Sequence, residues 1–156
     1  MKEDELTELR GEVIERMIDI ETLVNCIISI QYLGKVSTPF YYEVLYDENF
    51  NLGLKISILS KVLQSKKPSL KHIENLRRLS TIRNHFVHRG TQFLSPGKLG
   101  ENGEVGIVPN PKQLDKSIDY DSLFKEFNST QDIEYDFLKD LIFKMSSHKK
   151  STHRKK

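Results

Sequence analysis

The stretch SLKHIENLRRLSTIRNHFVHRG, residues 69–90, decides the fold. Leu70, Ile73, Leu76, Leu79, Ile82, Phe86 and Val87 recur every three or four residues, the spacing that gathers apolar side chains on one face of an α-helix. Ser69, after Pro68, supplies an N-cap and Gly90 a stop. At about 100° per residue, the apolar side chains fill one broad arc, and Arg83 falls near its middle. A guanidinium without a partner is costly in a core. Arg83 is therefore either clamped by a carboxylate or set on the wall of a cleft that an anion can enter.

Asn84 and His88 share a face of this helix, while Arg83 and His88 are about 140° apart around its axis. His88 occupies the last turn, where it can lean over the helix end. A guanidinium, an amide and an imidazole thus gather at one terminus, and this set suits a phosphodiester. Arginine forks onto phosphate oxygens, asparagine offers a neutral donor, and histidine moves protons near neutral pH.

The R-N-x-x-x-H pattern of Arg83, Asn84 and His88, at the end of a helix in an all-α chain, resembles the HEPN domains, many of which are metal-independent endoribonucleases. The layout over residues 8–145 is similar too: a long first helix, a short one around FYYEVL, the motif helix, then a closing helix. The resemblance implies that Arg83 and His88 are catalytic and that Asn84 assists. One variant of the family carries Tyr two residues after the His; here that position is Gly90, so regulation through such a tyrosine is not expected.

Working outward, 156 residues suggest one domain, residues 1–147, followed by a basic, unfolded tail at 148–156. The net charge of +2 neither demands nor excludes a nucleic-acid partner. The single Cys26 rules out an intrachain disulfide and fits a reducing, cytoplasmic setting. No apolar run has membrane-spanning length, and MKEDELTE is too acidic for a signal peptide.

The first helix is expected over Glu3–Leu33, stopped by Gly34, with Leu6, Leu9, Val13, Met17, Ile20, Val24, Ile27 and Ile28 as its stripe. Glu12 and Asp19 lie on one margin of that stripe and Glu21 on the other. All three are candidates to pair with Arg83, Glu12 or Asp19 first among them; otherwise they are ordinary boundary carboxylates. Residues 35–52 hold a short helix with Thr38 as N-cap and Pro39 in its first position. Its aromatics, Phe40, Tyr41, Tyr42 and Tyr46, either stack on RNA bases or seal one end of the bundle. A further helix follows from Leu52, in which Lys55 and Lys61 are expected in solvent ahead of a role as phosphate contacts.

Residues 90–116 are rich in Gly and Pro, and Glu104–Val108 suits one strand of a short hairpin. So long a loop is either a flap beside the site or disordered. Residues 119–146 are helical, with Leu123, Phe124, Phe127, Ile133, Phe137, Leu138, Leu141, Ile142 and Met145 on the apolar side and a break near Asn128–Thr130.

The fold expected is an all-α bundle of four to five helices with one long flap. The function expected is a dimeric endoribonuclease that cuts single-stranded RNA without a cofactor or metal. Arg83, His88 and Asn84 are its catalytic residues, supported by Glu12, Asp19 and His85. A single imidazole serves poorly as both acid and base, which a homodimer sharing the cleft resolves. A toxin or phage-defence effector, held by an antitoxin protein, is one role open to such an enzyme. The competing expectations are a catalytically silent RNA- or protein-binding module, with Arg83 in a buried ion pair, and a metal site on His85 and His88. The second lacks a nearby cysteine and a His-Glu-x-x-His pattern.

Overall fold

The computed structural model describes residues 3–47, 49–63, 69–89, 109–110, 113–117 and 119–152. Among the described residues the protein is an all-α bundle of five helices. Helix α1 (Glu3–Leu33) is its spine and packs against α3, α4 and α5. Every member of the expected α1 stripe is buried except Leu9, which packs half-exposed against the core. Gly34 ends the helix at φ 80°, a left-handed conformation that glycine adopts without strain, and its N–H donates to the Ile30 carbonyl at 3.0 Å.

The turn after α1 is pinned from within the core. The buried Ser29 hydroxyl donates to the Lys35 carbonyl at 2.9 Å and accepts from the Ser37 N–H at 3.0 Å. Ser37, in an extended conformation, is thereby the residue preceding α2 (Thr38–Phe40), so the cap falls one residue earlier than Thr38. The chain then winds into a π-helical turn, Tyr41–Leu45, closed by the Tyr46 N–H on the Tyr41 carbonyl at 3.1 Å. The wider turn sends Leu45 into the core and leaves Tyr42 and Tyr46 outside.

Asn51 Oδ1 accepts from the Leu54 N–H at 3.0 Å and caps α3 (Leu52–Leu63). In α4 (Ser69–Arg89), Ile73, Leu76, Leu79, Ile82 and Phe86 are buried at the expected spacing, while Leu70 is exposed. Gly90 and the segment 64–68 lie outside the described residues. So does the expected strand Glu104–Val108; just beyond it β1 (Pro109–Asn110) pairs antiparallel with β2 (Gln113–Ser117), Asn110 opposite Gln113 and Pro109 opposite Ser117.

Helix α5 (Tyr120–Thr152) starts on an Asp119 cap, whose carboxylate accepts from the Asp121 and Ser122 N–H groups and from the Ser122 hydroxyl. It runs unbroken through Asn128–Thr130, where Ser129 returns its hydroxyl to the Glu126 carbonyl at 3.1 Å, and it carries on past Ser146 to Thr152. Residues 148–152 of the expected tail are thus helical. Ile133 is exposed, not part of the apolar side. The buried Glu134 carboxylate accepts from Asn75 Nδ2 at 2.7 Å and meets His72 Nδ1 at 3.0 Å, joining α5 to α4. At the far end of α4 the Phe86 ring meets Tyr120 edge-on at 5.2 Å. The two ends of the long connection between α4 and α5 therefore sit together, beside the motif.

Candidate functional site

Arg83 is half-buried and lines a cavity of about 340 Å³ between α1, α3, α4 and the segment after the π turn. Of the two placements open to it, it takes the cleft wall. Its guanidinium Nη1 donates to Asn84 Oδ1 at 3.3 Å, so two of the motif residues stand together on the helix. The expected carboxylate clamp is not made. Glu12 pairs within its own helix, with Arg16 Nε at 3.2 Å, and Asp19 is exposed. Both lie more than about 150° around the α1 axis from Glu21. Their side of α1 turns toward α5, where Arg16 reaches Gln131 and Asp132.

The α1 carboxylate that does line the cavity, Glu21, is engaged by Lys55 of α3, whose Nζ contacts Oε1 directly. Lys55 is only 2% exposed, contrary to its expected place in solvent. A buried ammonium persists only with a partner, and Glu21 supplies it. The ammonium also lies 5.7 Å from the centre of the Tyr46 ring, on the same cavity wall. Partial burial, then the neighbouring Tyr41, then the Glu21 charge hold the Tyr46 phenol above the ordinary range, so it stays neutral.

The end of α4 has its own cation. Arg10 Nε donates to the Phe86 carbonyl at 3.0 Å, within the last turn, where carbonyls have no partner in the helix and the dipole is negative. His85 is half-buried, with Nδ1 out of solvent contact. His88 belongs to the last turn of α4, and its side chain lies outside the described residues. The backbone alone keeps Arg83 and His88 about 140° apart around the axis.

Comparison with protein-family models, curated proteins and solved structures finds no match. The site is therefore read from its own chemistry. Among the described residues, no three His, Cys, Asp or Glu side chains come together as a metal would need, and no helix is long and apolar enough to cross a membrane. Cys26 is half-buried, and burial pushes its thiol up, which leaves it a poor nucleophile. What the cavity offers is one guanidinium held by a neutral amide, an internally paired Lys55–Glu21, and a mixed wall in which Met17 and Ile18 face Asp47 and Asn51.

The sequence reading missed Arg10 and misplaced Lys55, and it named Tyr46 only as one of several aromatics without linking it to Arg83. A signal existed for Lys55, which stands three residues after Leu52 and four before Leu59, on the buried side of α3. Arg10 precedes Ile14, Met17 and Glu21 at helical spacing, on the face of α1 that meets the cavity and the end of α4.

Proposed function

We propose that this chain is a metal-independent endoribonuclease of the HEPN type, acting on single-stranded RNA as a homodimer. The observation that carries the reading is Arg83, half-buried on a cavity wall and bonded to an amide instead of a carboxylate. A guanidinium so held keeps donors for a phosphate. In this mechanism the RNA 2′-hydroxyl attacks the adjacent phosphorus. Its proton passes to an imidazole, the 2′-O–P bond forms, and the P–O5′ bond breaks as the 5′ oxygen takes up a proton. Arg83 neutralises charge on the non-bridging oxygens and Asn84 positions Arg83. His88 moves the proton. The wide angle between Arg83 and His88 on one helix favours a cleft that combines Arg83 of one copy with His88 of the other, which also supplies an acid as well as a base.

The test is cleavage of a single-stranded oligoribonucleotide by the purified chain in EDTA. Products ending in a 2′,3′-cyclic phosphate, with DNA of the same sequence left intact, are expected. His88→Ala lowers the rate by about 10²- to 10⁴-fold. Arg83→Ala abolishes cleavage and leaves the helical signal intact, because among the described residues no buried carboxylate depends on it. RNA left uncut with and without divalent ions overturns the enzyme and leaves a binding module. Light scattering that finds only monomer at micromolar concentration overturns the shared site. A toxin or defence role, an antitoxin partner and a cytoplasmic setting are proposals that follow only if cleavage is found.

A further inference from the structure

The π turn carries three tyrosines in mutual contact. Tyr41 meets Tyr42 edge-on at 5.5 Å and Tyr46 at 5.3 Å, and Tyr42 and Tyr46 are 5.9 Å apart. An aromatic cluster that sealed the bundle would be buried. Leu45 does that work here, and Tyr42 and Tyr46 stay 66% and 53% exposed. They are nonetheless held in place. The Tyr46 ring packs on Tyr41 and Tyr42, and the Lys55 ammonium lies over one side of it, 5.7 Å from its centre. Rings held against one another and still largely exposed lose little conformational freedom when a flat partner stacks on them.

Tyr46 is also a wall of the cavity that Arg83 lines, so the aromatic surface and the guanidinium belong to one site. The volume of about 340 Å³ is at the small end of ligand pockets, which suits a single base. Met17 and Ile18 offer an apolar surface, and Asp47 and Asn51 offer polar atoms to a base edge. The carboxylates of Glu21 and Asp47 disfavour a phosphate in that half of the cavity, which leaves the Arg83 end for it. A net charge of +2 gives little long-range attraction to a polyanion, so stacking has to carry much of the affinity.

We infer that this cavity and the tyrosines at its rim form a base-binding subsite for single-stranded RNA. One unstacked nucleobase sits against Tyr46 and Tyr42, and its phosphate is directed toward Arg83. The inference deepens the proposed activity and rests on it for the identity of the polymer. The test uses the full chain carrying His88→Ala, so that RNA stays intact, with oligoribonucleotides bearing 2-aminopurine or an abasic residue. Stacking should quench 2-aminopurine fluorescence. Tyr42→Ala and Tyr46→Ala should each weaken binding by about 5- to 150-fold, and Tyr46→Phe should restore it. Circular dichroism checks the fold; should Tyr46→Ala unfold the chain, Tyr42→Ala, on a mostly exposed residue, decides alone. Unquenched fluorescence, or Tyr42→Ala binding as tightly as its parent, overturns the inference. So does an abasic strand bound as tightly as an intact one. The two proposals fail separately. Tyrosine-dependent binding without cleavage by the unmodified chain removes the nuclease and keeps the subsite. Cleavage that is indifferent to Tyr42 removes the subsite and keeps the nuclease.

Discussion

Lys55 and Glu21 make a lopsided pair, and the imbalance predicts which of the two tolerates removal. The lysine side chain is 3% exposed and the glutamate side chain 35% exposed, because Glu21 fronts the cavity. Glu21→Gln leaves an ammonium in the core without its counter-charge. Breaking a fully buried pair in that way costs about 3–5 kcal/mol. Water in the cavity and the neighbouring Tyr46 ring relieve part of this, so the expected loss is roughly 2–3 kcal/mol. Lys55→Met removes the charge that is hard to bury, keeps the aliphatic stem, and leaves a carboxylate that the cavity can hydrate. Its expected effect is within about 1 kcal/mol of zero, in either direction. Urea unfolding followed by far-ultraviolet circular dichroism measures both. With a slope of about 2 kcal/mol per molar, the Glu21→Gln midpoint falls by roughly 1–1.5 M and the Lys55→Met midpoint moves by at most about 0.5 M. Added salt should change the gap little, since the ammonium end of the contact is shielded from solvent. Lys55→Met as damaging as Glu21→Gln would refute the reasoning, because the pair would then be a net attraction and not a rescue of a buried charge.

Three further outcomes follow from contacts away from the cavity. Arg10→Met keeps the packing stem but loses the donor to the Phe86 carbonyl; it should lower stability by about 1–2 kcal/mol and speed amide exchange in the last turn of α4. Glu126 receives Arg78 Nε at 2.6 Å and Nη2 at 2.7 Å, and those bonds hold its carboxyl below the ordinary value of 4.5. A lowered carboxyl stabilises the fold above its unfolded value and loses that contribution as pH falls through the folded one. Glu126→Gln should therefore be less stable than the parent at neutral pH, by at most about 1 kcal/mol for so exposed a pair, and the gap should close below pH 4.5 in a urea series. Asn25 is fully buried and neither atom of its amide meets a partner among the described residues; Asn25→Leu should raise the thermal midpoint, by about 1–3 kcal/mol in stability, and a lowered midpoint would mean the amide is satisfied in solution.

Most of the bundle was legible because its signals are local. The α1 stripe, the Gly34 stop and the spacing from Ile73 to Phe86 each follow from geometry within one helix. The misses have local causes as well. Leu70 and Ile133 are apolar and exposed, and hydrophobicity is a one-way guide to burial. The expected break in α5 does not occur, because the Ser129 hydroxyl bonds back to the helix and Asn128–Thr130 need not leave it. Thr38 yielded the cap to Ser37, whose backbone is anchored by Ser29, eight residues earlier. Such a contact has no signature in a window of sequence.

The site was legible on α4 and illegible across helices, for one physical reason. Periodicity gives the angle of a residue about its own axis, and so it put Arg83 on the inner side of α4. It does not tell which margin of α1 lies opposite. Leu6, Val13, Ile20 and Ile27 belong to a stripe with a carboxylate on either edge, and nothing in α1 alone separates Glu12 and Asp19 from Glu21. The separating information is in α3. Lys55 stands on that helix's buried side, and an ammonium there requires a carboxylate partner. Glu21 meets that need, so the Glu21 margin must face α3 and the cavity, and Glu12 and Asp19 must face α5. Asn25 and Ser29 follow Glu21 at intervals of four, a polar line along the inner wall of an otherwise apolar spine. Ser29 at its far end pins the turn that leads into the tyrosine cluster, and Glu21 at its near end meets the cavity. Polar groups that weaken a core persist where position matters more than stability, and this line joins the two features that the proposed RNA site needs in fixed relation.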